Sequence, residues 1–376
     1  MELEKLFLAL LRSQLNNEAL PIEIKNRLKD KEKLSKLYKL SKKYDLTSFI
    51  VKILEDNNIL CDDEISKKFK EQRFIAVLRD EKMNYEREQI KEIFEKNNIQ
   101  YVFLKGSVIR NLYPETWMRT SCDIDVLIKE KDIQKAISLM EKIGYLKKER
   151  SYKDISLIAK SGVHVELHFS LKQALNSVDS ILEEVWKYVK QDNSLDNEFF
   201  LFYLLAHTAY HFRRGGCGVR PFIDIWYIKK TFILSEEKLK ELLFRARLYT
   251  FYQVISHLIN AWFGSYQMDS KLLNVEKYIF SSGIYGSLDN RVAIETLKKG
   301  GKIKYIFSRL FLPYDVLKEY YPGLKGRKWL TFFYQIRRWF GLLSKERRQK
   351  AFLELQSKRN ETKEKELSEL MKYVEL

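Results

Sequence analysis

Asp123 and Asp125 open the run Asp123-Ile124-Asp125-Val126-Leu127-Ile128, and in this chain of 376 residues they are the side chains best placed to do chemistry. In an extended strand, residues two apart leave the same face, so the two carboxylates stand together while Ile124 and Val126 turn into the core. Carboxylates held that close repel each other unless a cation neutralises them. Their hard oxygens suit Mg²⁺, which keeps further sites for water and phosphate oxygens. A second run alternates as strictly: Val163, Val165, Leu167 and Phe169 define one face, leaving His164, Glu166 and His168 on the other. Pairing of the two strands would make Glu166 a third carboxylate beside the first two. Lys105-Gly106-Ser107 ends an apolar run and opens a helix, and its small residues let backbone N–H groups approach a triphosphate. Taken singly, an Asp-x-Asp is commonly a solvated strand edge and a Gly-Ser pair only a turn. Their order along the chain is far more specific.

The elements that must hold these residues follow from periodicity. Residues 97–170 read as a mixed α/β module: a β-type run at 101–104, helical spacing at 108–113 closed by Pro114, and a strand at 123–128. A helix at 132–143 ended by Gly144 comes next, then a strand at 156–159 before the Ser161-Gly162 turn and the strand at 163–169. Residues 1–96 read as helices throughout, the last a charged helix over 71–95 striped by Phe74, Ile75, Leu78, Ile90 and Ile93. Helices return over 171–376, at 198–212, 221–232 and 235–263, with a basic aromatic segment at 298–350 and a charged terminal helix at 345–376. The expected class is α+β, a small mixed-sheet core (97–170) embedded between an N-terminal helical region (1–96) and a C-terminal one (171–376).

This order of motifs resembles the nucleotidyltransferase superfamily that includes DNA polymerase beta, the CCA-adding enzymes and the antibiotic nucleotidyltransferases. Gly106-Ser107, Asp123-Ile124-Asp125-Val126 and Glu166 carry the likeness. More narrowly the chain is similar to a poorly characterised bacterial nucleotidyltransferase family, through Leu104-Lys105-Gly106, Arg119 ahead of Asp123, Glu166-Leu167-His168, His207 and His211, Gly218-Val219-Arg220 with Asp224, and Phe311-Leu312-Pro313-Tyr314 before Tyr321-Pro322. The resemblance implies transfer of a nucleoside monophosphate from an NTP to a hydroxyl of an acceptor (small molecule, glycan precursor or protein), with release of pyrophosphate. Asp123 and Asp125 would bridge two Mg²⁺ ions, and Glu166 would help hold the metal near the acceptor and favour loss of its proton. Lys105, Gly106 and Ser107 would support the β and γ phosphates. Arg119 serves equally as a phosphate partner or as a partner of the Asp123 and Asp125 carboxylates. His168 and Arg220 are candidate substrate contacts, with a solvated strand face and an Arg220/Asp224 i,i+4 pair as the plainer readings.

Composition sets the boundaries. With 45% hydrophobic and 14% aromatic residues the chain can bury a large core, which excludes wholesale disorder and fibrous architecture. No apolar run approaches the roughly 20 residues that cross a bilayer. Cys61, Cys122 and Cys217 are too scattered for a disulfide framework or a CxxC metal site, and the Leu/Phe run near the N-terminus lacks a small-residue cleavage site. A cytoplasmic protein without a transmembrane segment is expected. The net charge of +17 is uneven: residues 298–350 hold 15 Lys/Arg against three acids, interleaved with aromatics such as Trp329, Phe332, Phe333 and Trp339. Such a segment suits RNA or an anionic membrane, although helical spacing favours aromatics in a core and cations on a solvated face. His207 and His211 share a helix face, but without a third ligand they read as packing residues. Cys122 has no evident base and does not read as a nucleophile.

Overall fold

The computed structural model describes residues 2–151, 153–173, 175–284, 286–342 and 361–376. Two compact units emerge: Met1–Tyr210 with Gly218–Ile284, and His211–Cys217 with Tyr285–Leu376. The chain is α+β, and Lys105-Gly106-Ser107, Asp123, Asp125, Glu166 and His168 all lie in the first unit.

That unit is built on five strands: β1 (Tyr101–Phe103), β2 (Asp123–Ile128), β3 (Leu146–Arg150), β4 (Asp154–Ile158) and β5 (His164–His168). Their order across the sheet is β1-β2-β5-β4-β3. β2 and β5 run parallel in the centre, and the other pairings are antiparallel. One face of β2 and β5 presents Ile124, Val126, Ile128, Val165 and Leu167, all essentially without solvent exposure. Two helices cover it: Glu64–Lys96, through Met83, Ile90 and Phe94, and Ile133–Lys142, through Ile133, Ala136, Ile137 and Met140. At about 1.5–3 kcal/mol for each large side chain taken out of water, this layer fixes which face of the sheet points inward. The acidic residues are thereby turned to the other face.

Two expectations need correcting here, and one strand was not expected at all. The helix Glu64–Lys96, N-capped by the Asp63 carboxylate accepting from Ser66 N at 2.8 Å, does not bury Phe74, Ile75 or Leu78, which are exposed. Its core side follows Ala76, Met83, Ile90 and Phe94, a recurrence close to seven residues. At about 100° per residue, Phe74, Ile75 and Leu78 point well away from it. The helix expected over 235–263 is two helices, Glu236–Arg245 and Tyr249–Phe263, broken where Arg247 takes a left-handed backbone with φ 56°. β3 went unforeseen: Leu146-Lys147-Lys148-Glu149-Arg150 is exposed along its whole length, so this charged edge strand carries no alternation.

In the second unit, the helix Leu288–Lys299 packs against Glu361–Tyr373. Ser287 N donates to Gly215 O at 3.0 Å, and a Cβ on Gly286 would come within 2.8 Å of Gly215 backbone. The aromatics of the basic segment are largely not core: Phe307, Phe311, Tyr320, Trp329, Phe332, Phe333 and Phe340 are exposed, while Tyr305 is buried. The part of that segment at 343–350, and the part of the expected terminal helix at 345–360, lie outside the described residues. Among the described residues no helix is long and apolar enough to cross a membrane.

Candidate active site

The parallel pairing of β2 with β5 sets Asp125 directly opposite Glu166 and Asp123 opposite His164. Asp125 is 3% exposed, and its Oδ1 takes two donors: Lys105 Nζ at 2.9 Å and His168 Nε2 at 2.7 Å. The same His168 nitrogen lies 3.3 Å from Glu166 Oε2, and Nδ1 on the far side of the ring lies 3.9 Å from Asp154 Oδ2 in β4. Asp125, Glu166 and His168 thus offer two carboxylate oxygens and an imidazole nitrogen, all within 4.8 Å of one another. This donor set suits a divalent cation, the carboxylates favouring a hard ion and the imidazole extending the choice to transition metals. Among the described residues Asp123 stands on the same strand face but outside that trio.

The electrostatics follow from burial and proximity. Burial works against the Asp125 charge, but Lys105 and the His168 hydrogen bond outweigh it and hold its pKa far below the usual carboxylate range. Asp123 moves the other way: burial, and then the charge of Asp125, push it up to about 6. Hydrogen bonding from His168 lowers Glu166. Burial alone would lower His168, yet its bonds to Asp125 and Glu166 raise it overall. Lys105 is likewise raised, burial being outweighed by Asp125. Lys105 and the hydrogen bonds of His168 thus compensate the carboxylates where the sequence suggested a metal.

Lys105 sits in an uncommon backbone conformation, φ 42° and ψ −117°, between β1 and the single helical turn Gly106–Ile109. A non-glycine residue held there stores of order 1–3 kcal/mol, and such strain concentrates at functional sites. It persists because Leu104 N donates to Asp125 O at 3.0 Å and Ile109 N to Lys105 O at 2.9 Å, tying the turn to β2. Ser107 is buried; its N–H is committed to Leu104 O, and its carbonyl accepts from Arg87. Gly106 is needed for close approach, since a Cβ there would lie 2.3 Å from Ser121 Oγ and 2.5 Å from Arg119 Nη1. Gly106→Ala is accordingly expected to cost about 1–3 kcal/mol by overpacking, read as a lowered midpoint in thermal unfolding. An unchanged midpoint would show that Arg119 gives way freely.

The segment leading into β2 is pinned from a distance. Arg119 meets Asp224 through Nη2–Oδ2 at 2.9 Å and Nε–Oδ1 at 3.3 Å, and Tyr113 OH donates to Asp224 Oδ1 at 2.7 Å. Arg119 therefore engages Asp224, not the Asp123 and Asp125 carboxylates. Arg220 does not form the i,i+4 pair with Asp224; it donates to Asp45 Oδ2 at 2.7 Å and Thr120 O at 3.0 Å. His207 meets Gln173 Oε1 at 3.3 Å and the Tyr203 ring. Sequence reasoning missed Asp154, Tyr203 and Lys153. Tyr203 is buried near Lys105, burial raising its pKa against the pull of that ammonium, and the pKa of Lys153 is lowered by burial and by Lys105. The period-two pattern of β4, extended two residues upstream, would have flagged Asp154. Tyr203 sits in an apolar helical run, where nothing marks it.

Comparison with curated proteins finds no match, and comparison with solved structures finds none. A family model does match, over residues 4–264, which takes in the whole sheet, the carboxylate cluster and the helices that pin it, and by that match the chain belongs to a family described as uncharacterised nucleotidyltransferases.

Proposed function

We propose that this nucleotidyltransferase is Mg²⁺-dependent and moves a nucleoside monophosphate from an NTP to a hydroxyl of an acceptor, releasing pyrophosphate. The observation that carries the reading is the register of β2 and β5, which sets Asp125 beside Glu166 with His168 between them. Asp123, Asp125 and Glu166 would hold the ions, which supply charge neutralisation for the phosphates and a lowered pKa for the acceptor hydroxyl. Lys105 would turn from Asp125 to the β and γ phosphates, with the Gly106-Ser107 turn setting its position. His168, released from Asp125, is placed to hold Glu166 and, with it, the acceptor side. Arg119 and Arg220, engaged by Asp224 and Asp45, support the reading as groups that fix the approach to Asp123. Incubation with labelled NTPs, Mg²⁺ and cell extract tests it. Label should appear on an acceptor and vanish with EDTA; no transfer under any nucleotide sinks the reading.

A pH dependence accompanies it. Asp123, raised from 3.8 to about 6, binds its proton more tightly folded than unfolded. Its contribution to stability is thus present below about pH 4 and lost as pH rises through about 6. Above that, the ion-free protein carries an unfavourably buried charge that a cation relieves. The rise in unfolding temperature on adding Mg²⁺ should be larger at pH 7.5 than at pH 5, and much smaller in Asp123→Asn. Equal increments at both pH values would remove Asp123 from the metal site.

A further inference from the structure

The helix Glu64–Lys96 has a face that the core does not use. Ile75, Leu78, Arg79 and Lys82 follow i, i+3, i+4, i+7 spacing, so they line up along one side, and all four are exposed. They form one wall of a cleft of about 410 Å³, within the range of small-molecule sites. Cys122, His164 and the turn before β5 form the other, with Met83 and Val163 adding apolar surface. No acid lines the cleft, and neither Arg79 nor Lys82 has an ion-pair or hydrogen-bond partner among the described residues. Two uncompensated cations over an apolar lining are complementary to one chemistry: an anionic group carried beside an apolar body.

Position says what such a molecule would do. Cys122 precedes Asp123 in the chain, and His164 is the residue opposite Asp123 across β2 and β5. The cleft therefore lies at the strand end that carries Asp123, between that end and the covering helix, with Asp123 itself outside the lining. Lys105, on the proposed triphosphate side, contacts Asp125 and takes no part in the lining. We infer that this cleft binds the acceptor, a small hydroxyl-bearing molecule with a phosphate or carboxylate next to an apolar portion, and that Arg79 and Lys82 select it. The acceptor assignment rests on the proposed transfer, whereas the anion selectivity of the cleft does not.

Cys122 lies in the cleft and is exposed, while Cys217 is buried, so removing exposed Cys61 by Cys61→Ser leaves one reactive reporter in the intact chain. The rate at which Cys122 reacts with the neutral disulfide 4,4′-dithiodipyridine is measured with hexanol, hexanoate or hexyl phosphate present. The anionic ligands should protect Cys122 at concentrations at least tenfold below hexanol, and the better of the two identifies the anion. Arg79→Glu with Lys82→Glu should abolish that advantage, and Arg79→Gln with Lys82→Gln should weaken it in the same direction. Equal protection by hexanol, or an advantage that survives charge reversal, overturns the inference. In the transfer reaction the charge-reversed protein should show acceptor KM raised at least tenfold while its affinity for Mg²⁺ and a non-hydrolysable NTP stays within twofold. Label arriving only on RNA or protein overturns the small acceptor. Failure of the unaltered protein to bind Mg²⁺ and NTP overturns the transfer reading, while Cys122 protection still decides the selectivity of the cleft.

Discussion

Asp125→Asn is expected to lower nucleotidyl transfer by about 10³-fold or more while leaving the protein folded. The side chain is buried and its Oδ1 gathers Lys105 at 2.9 Å and His168 at 2.7 Å. Asparagine preserves volume and an acceptor oxygen but removes the charge around which Lys105, His168 and any divalent ion are arranged. Metal-centred charge stabilisation contributes several kcal/mol to a phosphoryl-group transition state, and each 1.36 kcal/mol is tenfold in rate. Losing about 4 kcal/mol of it gives the stated factor. Circular dichroism should match the unaltered protein, because the core face of β2 consists of Ile124, Val126 and Ile128 and is untouched. Transfer within tenfold of the unaltered protein would mean that the chemistry lies elsewhere than at the β2 and β5 carboxylates.

How much of this was legible depends on the range of the interaction. A period of two told which residues share a face, so Asp123, Asp125, Glu166 and His168 were assigned to one side of their strands from the chain alone. Adjacency was a different matter: β2 and β5 are neighbours only because the chain between them loops out through β3 and β4, and no local pattern encodes that order. The place of His168 was missed for the same reason. It is opposite Leu127 in register, yet its ring reaches diagonally to Asp125 and sideways toward Asp154, so a residue read as a substrate contact lies 2% exposed among three acids. Helical spacing misled at Arg220 and Asp224. Four residues apart, they look like a surface pair, but Asp224 is buried and serves Arg119 and Tyr113, over 100 residues earlier in the chain. Phe74, Ile75 and Leu78 looked like a core stripe because hydrophobicity alone does not say which of two sides of a 33-residue helix meets the sheet.

The Arg119 and Asp224 pair is where long-range order should show its energy. Asp224→Ala is expected to destabilise the protein by about 3–5 kcal/mol, because it leaves a buried guanidinium without its counter-ion and deprives Tyr113 of its acceptor. Against the 5–15 kcal/mol typical of a folded domain this is a large share. Chemical unfolding measures it directly. Coulomb attraction is not the whole of the effect, since much of the loss is the cost of stranding the partner. The double variant Arg119→Met with Asp224→Ala removes both charges and should therefore recover at least half of the lost stability, giving, with the single Arg119→Met, a coupling energy above about 1 kcal/mol in the double-mutant cycle. Transfer should not recover with it. Arg119 also donates to Ser121 at 3.3 Å and stands against Gly106, so the approach to Asp123 and the Lys105 turn lose a common anchor even when both charges are removed. A single Asp224→Ala cost below 1 kcal/mol, or a double variant that regains full transfer, would show that the pair neither stabilises the unit nor positions the carboxylates. Recovery of stability without recovery of transfer would separate the two roles and assign this buried pair to the geometry of the site.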